Sequence, residues 1–406
     1  MVRETTIFSH HSCGKMPFLL KYDMSNFTRI NQIKKTLQKK SVLLLGPRRT
    51  GKSFFIKNQI KPDLIINLLE ANTFRKFSAR PELLREVVTD EMKIVAIDEI
   101  QKLPSLMDEV HNLIEEKKIR FLLTGSSARK LARTHTSLMA GRARRVYFHP
   151  FTFQELQENK SIIDLDHLLN YGALPPVLLA TDPWEELRDY VGLYLKEDIQ
   201  AEAMVRKIEN FSRFLEFSAM NSGELLNFES IASDSQVPAR TIREYYAVLV
   251  DTLMGTMLEP LSSTVKRKSV SAAKFYFFDT GVLNSLLERK QTSSKTKEYG
   301  NLFEHFILNE IRAYVDYNAT DTKLNFWRVD QETEVDIIIN HTIAIEIKST
   351  DNVVPKHLKG LKKFAHTGAC SKQIVVSRDP MVRQIDEIQI LPYQDFLQKL
   401  WAGDIF

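Results

Sequence analysis

The stretch Gly46-Pro-Arg-Arg-Thr-Gly-Lys-Ser53 decides the expected fold, because it matches the phosphate-loop pattern GxxxxGK[ST]. The apolar run Val42–Leu45 precedes it, and a helix is expected to begin near Ser53. A strand, a glycine-containing loop and a helix in this order direct backbone N–H groups and the positive end of a helix dipole at a phosphate. The sequence therefore predicts a nucleotide site at this loop.

Each position of the loop has an expected role. Lys52 is expected to neutralise charge on the β- and γ-phosphates, and the Ser53 hydroxyl is expected to coordinate Mg²⁺. The alternative is an ordinary glycine turn with an exposed lysine, and the strand–loop–helix context argues against it. The residues expected to contact the nucleotide are Gly46, Pro47, Arg48, Arg49, Thr50, Gly51, Lys52, Ser53 and Phe54.

Short apolar runs alternate with helical stretches around this loop. This alternation is typical of a parallel sheet with helices on both faces. The runs are Ser41–Leu45, Leu64–Leu68, Ile94–Ile97, Arg120–Leu123 and Val146–Phe148. We therefore expect an α/β fold with a P-loop core.

The third run ends in two carboxylates, Asp98 and Glu99. Open α/β sheets bind ligands at the carboxyl ends of their strands. Asp98 is expected to hold Mg²⁺ through water, and Glu99 is expected to orient or deprotonate the attacking water. Because Glu99 is present, we expect hydrolysis and not only nucleotide binding.

The fourth run ends in hydroxyl side chains. Thr124 and Ser126 are candidates to lie between the metal-bound phosphate and the attacking water, with Ser126 preferred as a catalytic residue. Equally, Ser126 or Ser127 could cap a following helix. The sequence leaves both interpretations open.

A basic stretch from Ala128 to Arg145 contains no acidic residue. One of its arginines could reach a γ-phosphate in a neighbouring subunit, the stretch could contact a DNA backbone, or it could be a solvated face. Its basic residues are Arg129, Lys130, Arg133, Arg142, Arg144 and Arg145.

These motifs together resemble the AAA-type ATPases of bacteria and archaea. The resemblance rests on GPRRTGKS, IVAIDEIQKLP, FLLTGSSARKL and LMAGRARRVYFHPFTFQEL. The later segments YGALPPV, YLKEDI, KFYFFDTGVLNSLL and YGNLFEHFILNEI resemble, more narrowly, the group whose C-terminal domain has long been called uncharacterised. The resemblance implies that ATP is the nucleotide and that Arg142 contacts the nucleotide or a subunit interface.

A second set of residues, Asp336, Glu346 and Lys348, forms a D-x₉-E-x-K pattern that resembles the PD-(D/E)XK nucleases. Two carboxylates can hold Mg²⁺ or Mn²⁺ beside a scissile phosphate, while the lysine positions or activates a water. Glu304, on the expected helix Leu302–Ala313, is a candidate fourth member. The alternative is an amphipathic hairpin with a charged solvent face.

The register of the hairpin decides whether these side chains can meet. The apolar side chains of both strands occupy odd-numbered positions: Val335, Ile337, Ile339, Ile343, Ile345 and Ile347. Only an odd-length loop places all of them on one core face. We therefore predict an odd-length connection at Asn340–Thr342, with Asp336 and Glu346 close enough to share one metal ion.

The order of patterns divides the chain into an N-terminal arm (1–25), an AAA-type core (26–160), a helical region (161–225), a winged-helix-like domain (226–290), a nuclease-like domain (298–380) and a C-terminal tail (381–406). The arm holds three possible metal ligands, His10, His11 and Cys13, without a fourth at zinc-site spacing.

Two other groups of basic residues are candidates for DNA contact. Arg240 and Arg243 lie near the start of the expected second helix of the winged-helix-like domain. Packing alone, or a solubilising helix face, would explain each group equally well. The second group lies near the nuclease-like site and comprises Lys356, Lys359, Lys362 and Lys363.

The composition of the 406-residue chain excludes several classes of protein. It has 56 Lys+Arg and 51 Asp+Glu, a net charge of +5, and 43% hydrophobic residues, which argues against wholesale disorder. No apolar run approaches the ~18 residues that a membrane span needs, and two cysteines do not suggest a disulfide scaffold. We expect a cytoplasmic protein without membrane contact.

These observations predict a Mg-ATP hydrolase that couples ATP to a nuclease-like domain acting on or binding DNA. The alternative is an ATP-gated switch that binds DNA or a protein partner, with a chemically silent C-terminal domain. Self-association through the ATPase domain, or protein remodelling in a toxin or defence setting, is also compatible with the sequence.

Overall fold

The computed structural model describes residues 27–30, 32–127, 141–159, 164–194, 208–261, 273–318, 320–330 and 333–406. The N-terminal arm with His10, His11 and Cys13 lies outside these residues, as do Arg129, Lys130 and Arg133. No helix within the described ranges is long and apolar enough to span a bilayer.

The N-terminal half is built on a parallel sheet, which confirms the predicted α/β class. Among the described residues its strands lie in the order β2-β3-β4-β1-β5. Their bounds are β1 Ser41–Leu45, β2 Leu64–Asn67, β3 Ile94–Asp98, β4 Arg120–Gly125 and β5 Ala143–Tyr147.

The central strand β1 is buried on both faces of this sheet. Leu43 and Leu45 pack with Ile97 and Leu123 on one face, and Val42 and Leu44 pack against the opposite face. A continuous apolar strand of this kind is expected where helices cover both sides. The phosphate-loop residues follow directly at its carboxyl end.

Twelve α-helices lie in the N-terminal part and the middle of the described chain, and the first of them flank this sheet. The short helix α2 runs on into a π-helical turn at Ile56–Ile60. The helices are α1 Gln32–Leu37, α2 Lys52–Phe55, α3 Ala71–Ala79, α4 Leu83–Val87, α5 Leu106–Lys117, α6 Phe153–Glu158, α7 Leu165–Tyr171, α8 Pro175–Leu179, α9 Pro183–Tyr194, α10 Ile208–Met220, α11 Phe228–Ser235 and α12 Ala239–Asp251.

A second, mixed sheet occupies the C-terminal half, with the strand order β12-β13-β11-β10-β9-β8-β6-β7 in the described part of the chain. Its strands are β6 Gly255–Pro260, β7 Lys274–Phe277, β8 Leu324–Asp330, β9 Thr333–Ile339, β10 Ile343–Lys348, β11 Lys372–Ser377, β12 Arg383–Ile385 and β13 Ile388–Pro392. The remaining helices are α13 Thr280–Leu286, α14 Lys297–Asn318, α15 Lys359–Ala365 and α16 Tyr393–Ala402.

This sheet crosses two of the divisions that the sequence suggested. Strand β6 of the expected winged-helix-like region pairs with β8 through Glu259 and Asn325, so the regions 226–290 and 298–380 share one sheet. The expected tail, 381–406, forms β12, β13 and α16, because Ile388 and Ile390 alternate along a buried strand.

The hairpin between β9 and β10 has the predicted odd-length connection, since Ile339 pairs with Ile343 and Ile337 pairs with Ile345. Asn340 and His341 make the turn with positive φ values of 48° and 66°. The predicted register is therefore confirmed.

One part of the face prediction is wrong, because Val335 does not share a face with the other five apolar residues. Between Val335 and Ile338, β9 has one residue more than the facing segment Asn325–Trp327 of β8. This β-bulge turns Val335 towards Ile338 and Phe364 on the opposite face. A bulge of one residue leaves no trace in an alternating apolar pattern.

The 22-residue helix α14 connects the two halves of the molecule. Near its carboxyl end, the Tyr317 hydroxyl accepts a hydrogen bond of 3.0 Å from Arg29 Nη2, and Asp316 lies 2.6 Å from His149 Nε2. Further back, Glu310 accepts hydrogen bonds from the Phe153 N–H (2.8 Å) and from Trp401 Nε1 (3.0 Å).

The buried Glu310 gives the fold a testable pH dependence. Burial raises the pKa of Glu310 to about 8, so the folded protein keeps a proton that the unfolded chain releases near its usual pKa of 4.5. Stability from this group is complete below the unfolded pKa and is lost as the pH rises towards 8.

We expect the free energy of unfolding to fall by up to about 1.4 kcal/mol per pH unit across this window because of Glu310. Urea unfolding followed by tryptophan fluorescence at several pH values measures the slope. Glu310→Gln carries no titrating proton and should flatten it. An unchanged slope in Glu310→Gln would contradict the assignment.

Candidate functional site

The phosphate loop follows β1 in a tightly held conformation. Gly51 has a φ of 94°, which favours glycine, and a Cβ on Gly46 would lie only 2.4 Å from the Phe148 carbonyl oxygen. The Lys52 side chain is buried, and its ammonium donates to the carbonyl oxygens of Gly46 (2.7 Å) and Pro47 (2.8 Å). The loop therefore positions a cation where a phosphate would bind.

The two residues predicted to hold Mg²⁺ lie together, Ser53 at the start of α2 and Asp98 at the carboxyl end of β3. Ser53 Oγ donates a hydrogen bond of 2.7 Å to Asp98 Oδ2. The Thr124 hydroxyl donates to the other Asp98 oxygen. A hydroxyl and a carboxylate held side by side are a donor set that suits a hard cation such as Mg²⁺.

Glu99 occupies a position that needs unusual backbone geometry, with a φ of 60°. Its N–H donates to Thr124 Oγ1 (3.1 Å), and its carboxylate accepts from Ser126 Oγ (3.2 Å). Both hydroxyl candidates from the sequence therefore contact the two carboxylates, Thr124 at Asp98 and Ser126 at Glu99.

Two residues of this site were missed in the sequence. The buried Gln101 donates through Nε2 to the Glu99 carboxylate and to Ser126 Oγ (3.1 Å). The buried Arg29 donates to the Thr50 carbonyl oxygen in the loop (3.1 Å). The position of Gln101 two residues after the carboxylate pair was a usable signal, whereas nothing near Arg29 indicated a role.

The remaining loop residues are placed at the rim. Arg49 pairs with Glu186 on α9, and Phe54 is 36% exposed. Arg48 follows Pro47 and is partly buried. None of these contacts excludes a nucleotide contact, so their assignment stays a prediction.

The structure does not bring Arg142 to the phosphate loop. Arg142 precedes β5, whose first residue, Ala143, pairs with Ser41 at the amino end of β1. The loop begins after the other end of β1, roughly 15 Å away along the strand. The Arg142 guanidinium instead contacts Glu115 on α5. A contact with nucleotide would require the site of another copy.

The second predicted set lies together in the C-terminal sheet. Lys348 Nζ is 2.6 Å from Glu346 Oε1 and 3.7 Å from Asp336 Oδ2. Asp336 also accepts a hydrogen bond of 2.7 Å from the Ile347 N–H. Burial and, to a smaller extent, the nearby Asp336 raise the pKa of Glu346 to about 8.

Glu304 from α14 joins this cluster through residues that the sequence did not indicate. Lys274, buried on β7, lies 3.6 Å from Glu304 and also pairs with Glu334. The Tyr276 hydroxyl donates a hydrogen bond of 2.5 Å to Glu304. Burial would lower the pKa of Lys274, but Glu304 and Glu334 raise it, so the ammonium stays charged.

The comparisons with known proteins cover the chain in three parts. Residues 38–157 match a family model described as an AAA domain. The N-terminal sheet is a P-loop ATPase core. Residues 162–293 and 299–396 match two models described as domains of unknown function, DUF8612 and DUF4143.

Among curated proteins, the chain is 25% identical to the uncharacterized protein Rv2008c of Mycobacterium tuberculosis over 76% of this chain and 70% of the relative. It is 22% identical to the uncharacterized protein MJ1544 of Methanocaldococcus jannaschii over 68% of each.

Two solved structures are similar to this chain, with low sequence identities and low TM-scores. The Walker-type ATPase PABY2304 of Pyrococcus abyssi has a TM-score of 0.44 and 16% identity, over 67% of this chain and 99% of that chain. The ORC2 protein of Aeropyrum pernix in its ADP form has a TM-score of 0.34 and 11% identity, over 68% and 98%.

In the C-terminal cluster, formed by Asp336, Glu346, Lys348, Glu304, Glu334 and Lys274, two lysine side chains offset the charge of the carboxylates. Within the ranges that the structure describes, no group of three His, Cys, Asp or Glu side chains has an arrangement that could hold a metal ion. Lys348 lies between Asp336 and Glu346, and Lys274 lies between Glu304 and Glu334. However, the buried Glu346 Oε2 has no hydrogen-bond partner, so one oxygen remains for a cation.

The buried Lys274 should make a large contribution to stability. Lys274→Met leaves Glu304 and Glu334 without this ammonium, and removal of one partner of a buried pair costs about 3–5 kcal/mol. The exposed pair of Lys297 and Glu224, 3.0 Å apart, provides the control, because Lys297→Met should cost about 1 kcal/mol or less. Chemical unfolding measures both, and equal losses would contradict a special role for Lys274.

The other predicted DNA contacts are mostly engaged in ion pairs on the surface. Arg240 lies 3.4 Å from Glu244 and Arg243 lies 3.6 Å from Glu229. On α15, Lys362 pairs with Asp386 (2.7 Å) and Lys363 pairs with Asp330 (2.9 Å). Lys356 and Lys359 are exposed. Both arginines and two of the four lysines therefore have an acidic partner.

Proposed function

We propose that the chain hydrolyses ATP with Mg²⁺ and that this reaction controls a DNA-directed site in the C-terminal sheet. The observation that supports the first part is the 2.7 Å contact between Ser53 and Asp98, with Glu99 fixed beside it. This arrangement would supply a cation site and a general base at the end of one parallel sheet.

A Mg²⁺ ion held at this site would supply positive charge to offset the negative charge of the nucleotide phosphates. Ser53 would coordinate it directly and Asp98 would hold it through water, since their oxygens already lie together. With nucleotide bound, Lys52 and Glu99 would act on the phosphates and on the attacking water.

Lys52 would release the carbonyl oxygens of Gly46 and Pro47 and move its ammonium to the phosphates. Glu99 would orient or deprotonate the attacking water, because Ser126 and Gln101 fix the direction of its carboxylate. Thr124 ties the Asp98 side chain to the backbone of Glu99, so the two carboxylates keep a defined relation.

The second part of the proposal rests on Asp336, Glu346 and Lys348. Their side chains lie together, with one Glu346 oxygen free for a cation. Such a set would hold Mg²⁺ or Mn²⁺ beside a phosphodiester, and Lys348 would position the attacking water. Helix α14 carries Glu304 at this site and Tyr317 at the ATPase core, which supports coupling between them.

A second candidate function is binding without cleavage. It is supported by the Lys274 ammonium, which lies 3.6 Å from Glu304 and reduces the negative charge that would attract a divalent cation. The partner would then be DNA or a protein.

Two assays test the proposal. Phosphate release from ATP should require Mg²⁺ and stop on chelation. Plasmid, linear and single-stranded DNA should be incubated with Mg²⁺ or Mn²⁺, with and without ATP. Cleavage products would support a nuclease, and bound but intact DNA would support the second candidate function. The absence of both binding and cleavage would contradict the assignment of DNA as a partner.

A further inference from the structure

A cleft of about 430 Å³ lies where the ATPase core, the segment after α12 and helix α14 meet. The phosphate loop contributes only its first residues, Gly46 and Pro47. Strand β5 contributes Arg145 and Tyr147, and α14 contributes Asn309, Arg312 and Asp316. The α14 residues are spaced three and four apart, so they share one face of the helix.

Two guanidinium groups line this cleft, those of Arg145 and Arg312. Neither Arg145 nor Arg312 makes a hydrogen bond or an ion pair with a described residue. Arg312 is partly buried, and burial lowers the pKa of its guanidinium while Asp316 opposes the effect. An arginine keeps its proton, so five N–H donors with no acceptor are costly to bury.

The two carboxylates of the cleft are already engaged. Asp316 lies 2.6 Å from His149 Nε2, and Asp251 has an interaction of its own. The cleft therefore offers the positive charge of Arg145 and Arg312 to an anion. Asp251, Asp316 and Asn309 also line the cleft, so they could form hydrogen bonds with polar groups of a ligand.

The remaining wall is mainly apolar and includes the rings of Tyr147 and Phe278. An inorganic anion would leave these rings unused, and an apolar ligand would leave the guanidinium groups unpaired. A nucleotide has a phosphate for the arginines, a flat base for the aromatic wall, and donors and acceptors for Asn309 and the carboxylates.

We propose that this cleft is a second nucleotide site, which binds a nucleoside phosphate either free or as part of a single nucleic-acid strand. Its lining differs from that of the ATP site, because it includes Arg145, Asn309 and Arg312 and none of the loop residues from Thr50 to Ser53. It also assigns a ligand to Arg145, which belongs to the basic stretch that the ATPase site leaves unused.

The test uses the full chain with Lys52→Ala, so that the phosphate loop no longer binds nucleotide. Isothermal titration with adenosine monophosphate and with a short oligothymidylate should show binding of at least one probe, and the tighter probe identifies the source. Arg145→Met and Arg312→Met, each added to Lys52→Ala, should weaken that binding about tenfold or more. Arg144→Met is the matched control, because its side chain points away from Arg145 on the same strand.

Thermal unfolding supplies a second readout. Without ligand, Arg312→Met should raise the melting temperature, because it removes a partly buried charge that forms no hydrogen bond or salt bridge with a described residue. A lower melting temperature would show that Arg312 supports the fold instead. Failure of both probes to bind Lys52→Ala protein, or equal affinities in the arginine variants and the Arg144→Met control, would also overturn the proposal.

Discussion

Lys52→Ala is expected to abolish ATP binding and hydrolysis. Glu99→Gln should bind ATP normally, but its hydrolysis rate should fall about a hundredfold or more. Lys52 supplies the buried ammonium of the phosphate loop. Glutamine at position 99 still fits between Ser126 and Gln101 but cannot accept a proton. Binding of a fluorescent ATP analogue and phosphate release separate the two effects.

The exposed Lys57, on the turn that follows α2, is the matched control for the charge. Lys57→Ala should leave binding and turnover close to those of the unaltered protein. If the unaltered protein shows no more phosphate release than Glu99→Gln, with or without DNA, the ATPase mechanism proposed above fails.

Asp336→Ala or Lys348→Ala is expected to eliminate any metal-dependent DNA cleavage and to leave ATP hydrolysis nearly intact. Each variant removes a member of the C-terminal cluster, whose side chains do not contact the phosphate loop. DNA affinity should change little in Lys348→Ala, because one phosphate contact is a small part of the electrostatic footprint. Gel assays with Mn²⁺ and Mg²⁺ measure cleavage, and a filter or anisotropy assay measures binding.

Lys363→Ala is the control, because Lys363 is exposed and pairs with Asp330 at 2.9 Å. It should cut as the unaltered protein does. If the unaltered protein binds DNA but gives no product with any nucleotide, binding without cleavage is the better description. If products persist in Asp336→Ala, the cutting site lies elsewhere.

The sequence predicted most of what local patterns can determine. The apolar runs gave the parallel sheet, and β1 begins and ends at the bounds of the first run, Ser41 and Leu45. The odd-length connection followed from the alternation of apolar residues on both strands. These features depend on neighbours in the sequence, which is why spacing alone was enough.

Contacts between distant segments could not be predicted in the same way. Lys274 reaches Glu304 and Glu334 only because β6 and β7 join the C-terminal sheet. Arg29 reaches Thr50 and Tyr317 from a segment without a recognisable pattern. The position of Arg142 at the far edge of the sheet also depends on the pairing of β5 with β1, which the run Val146–Phe148 did not specify.

Helix α14 has a consequence for how such a chain can change over generations. Its Tyr317 accepts from Arg29, and Glu155 accepts from the same guanidinium at 2.9 Å. A recombination that exchanged the C-terminal half for an unrelated one would remove Tyr317 and Glu310 together. The Arg29 guanidinium and the Phe153 N–H would then each lose a hydrogen-bond partner. The two halves are therefore expected to be inherited as one unit, and swaps are expected to survive only between copies that keep both ends of this helix.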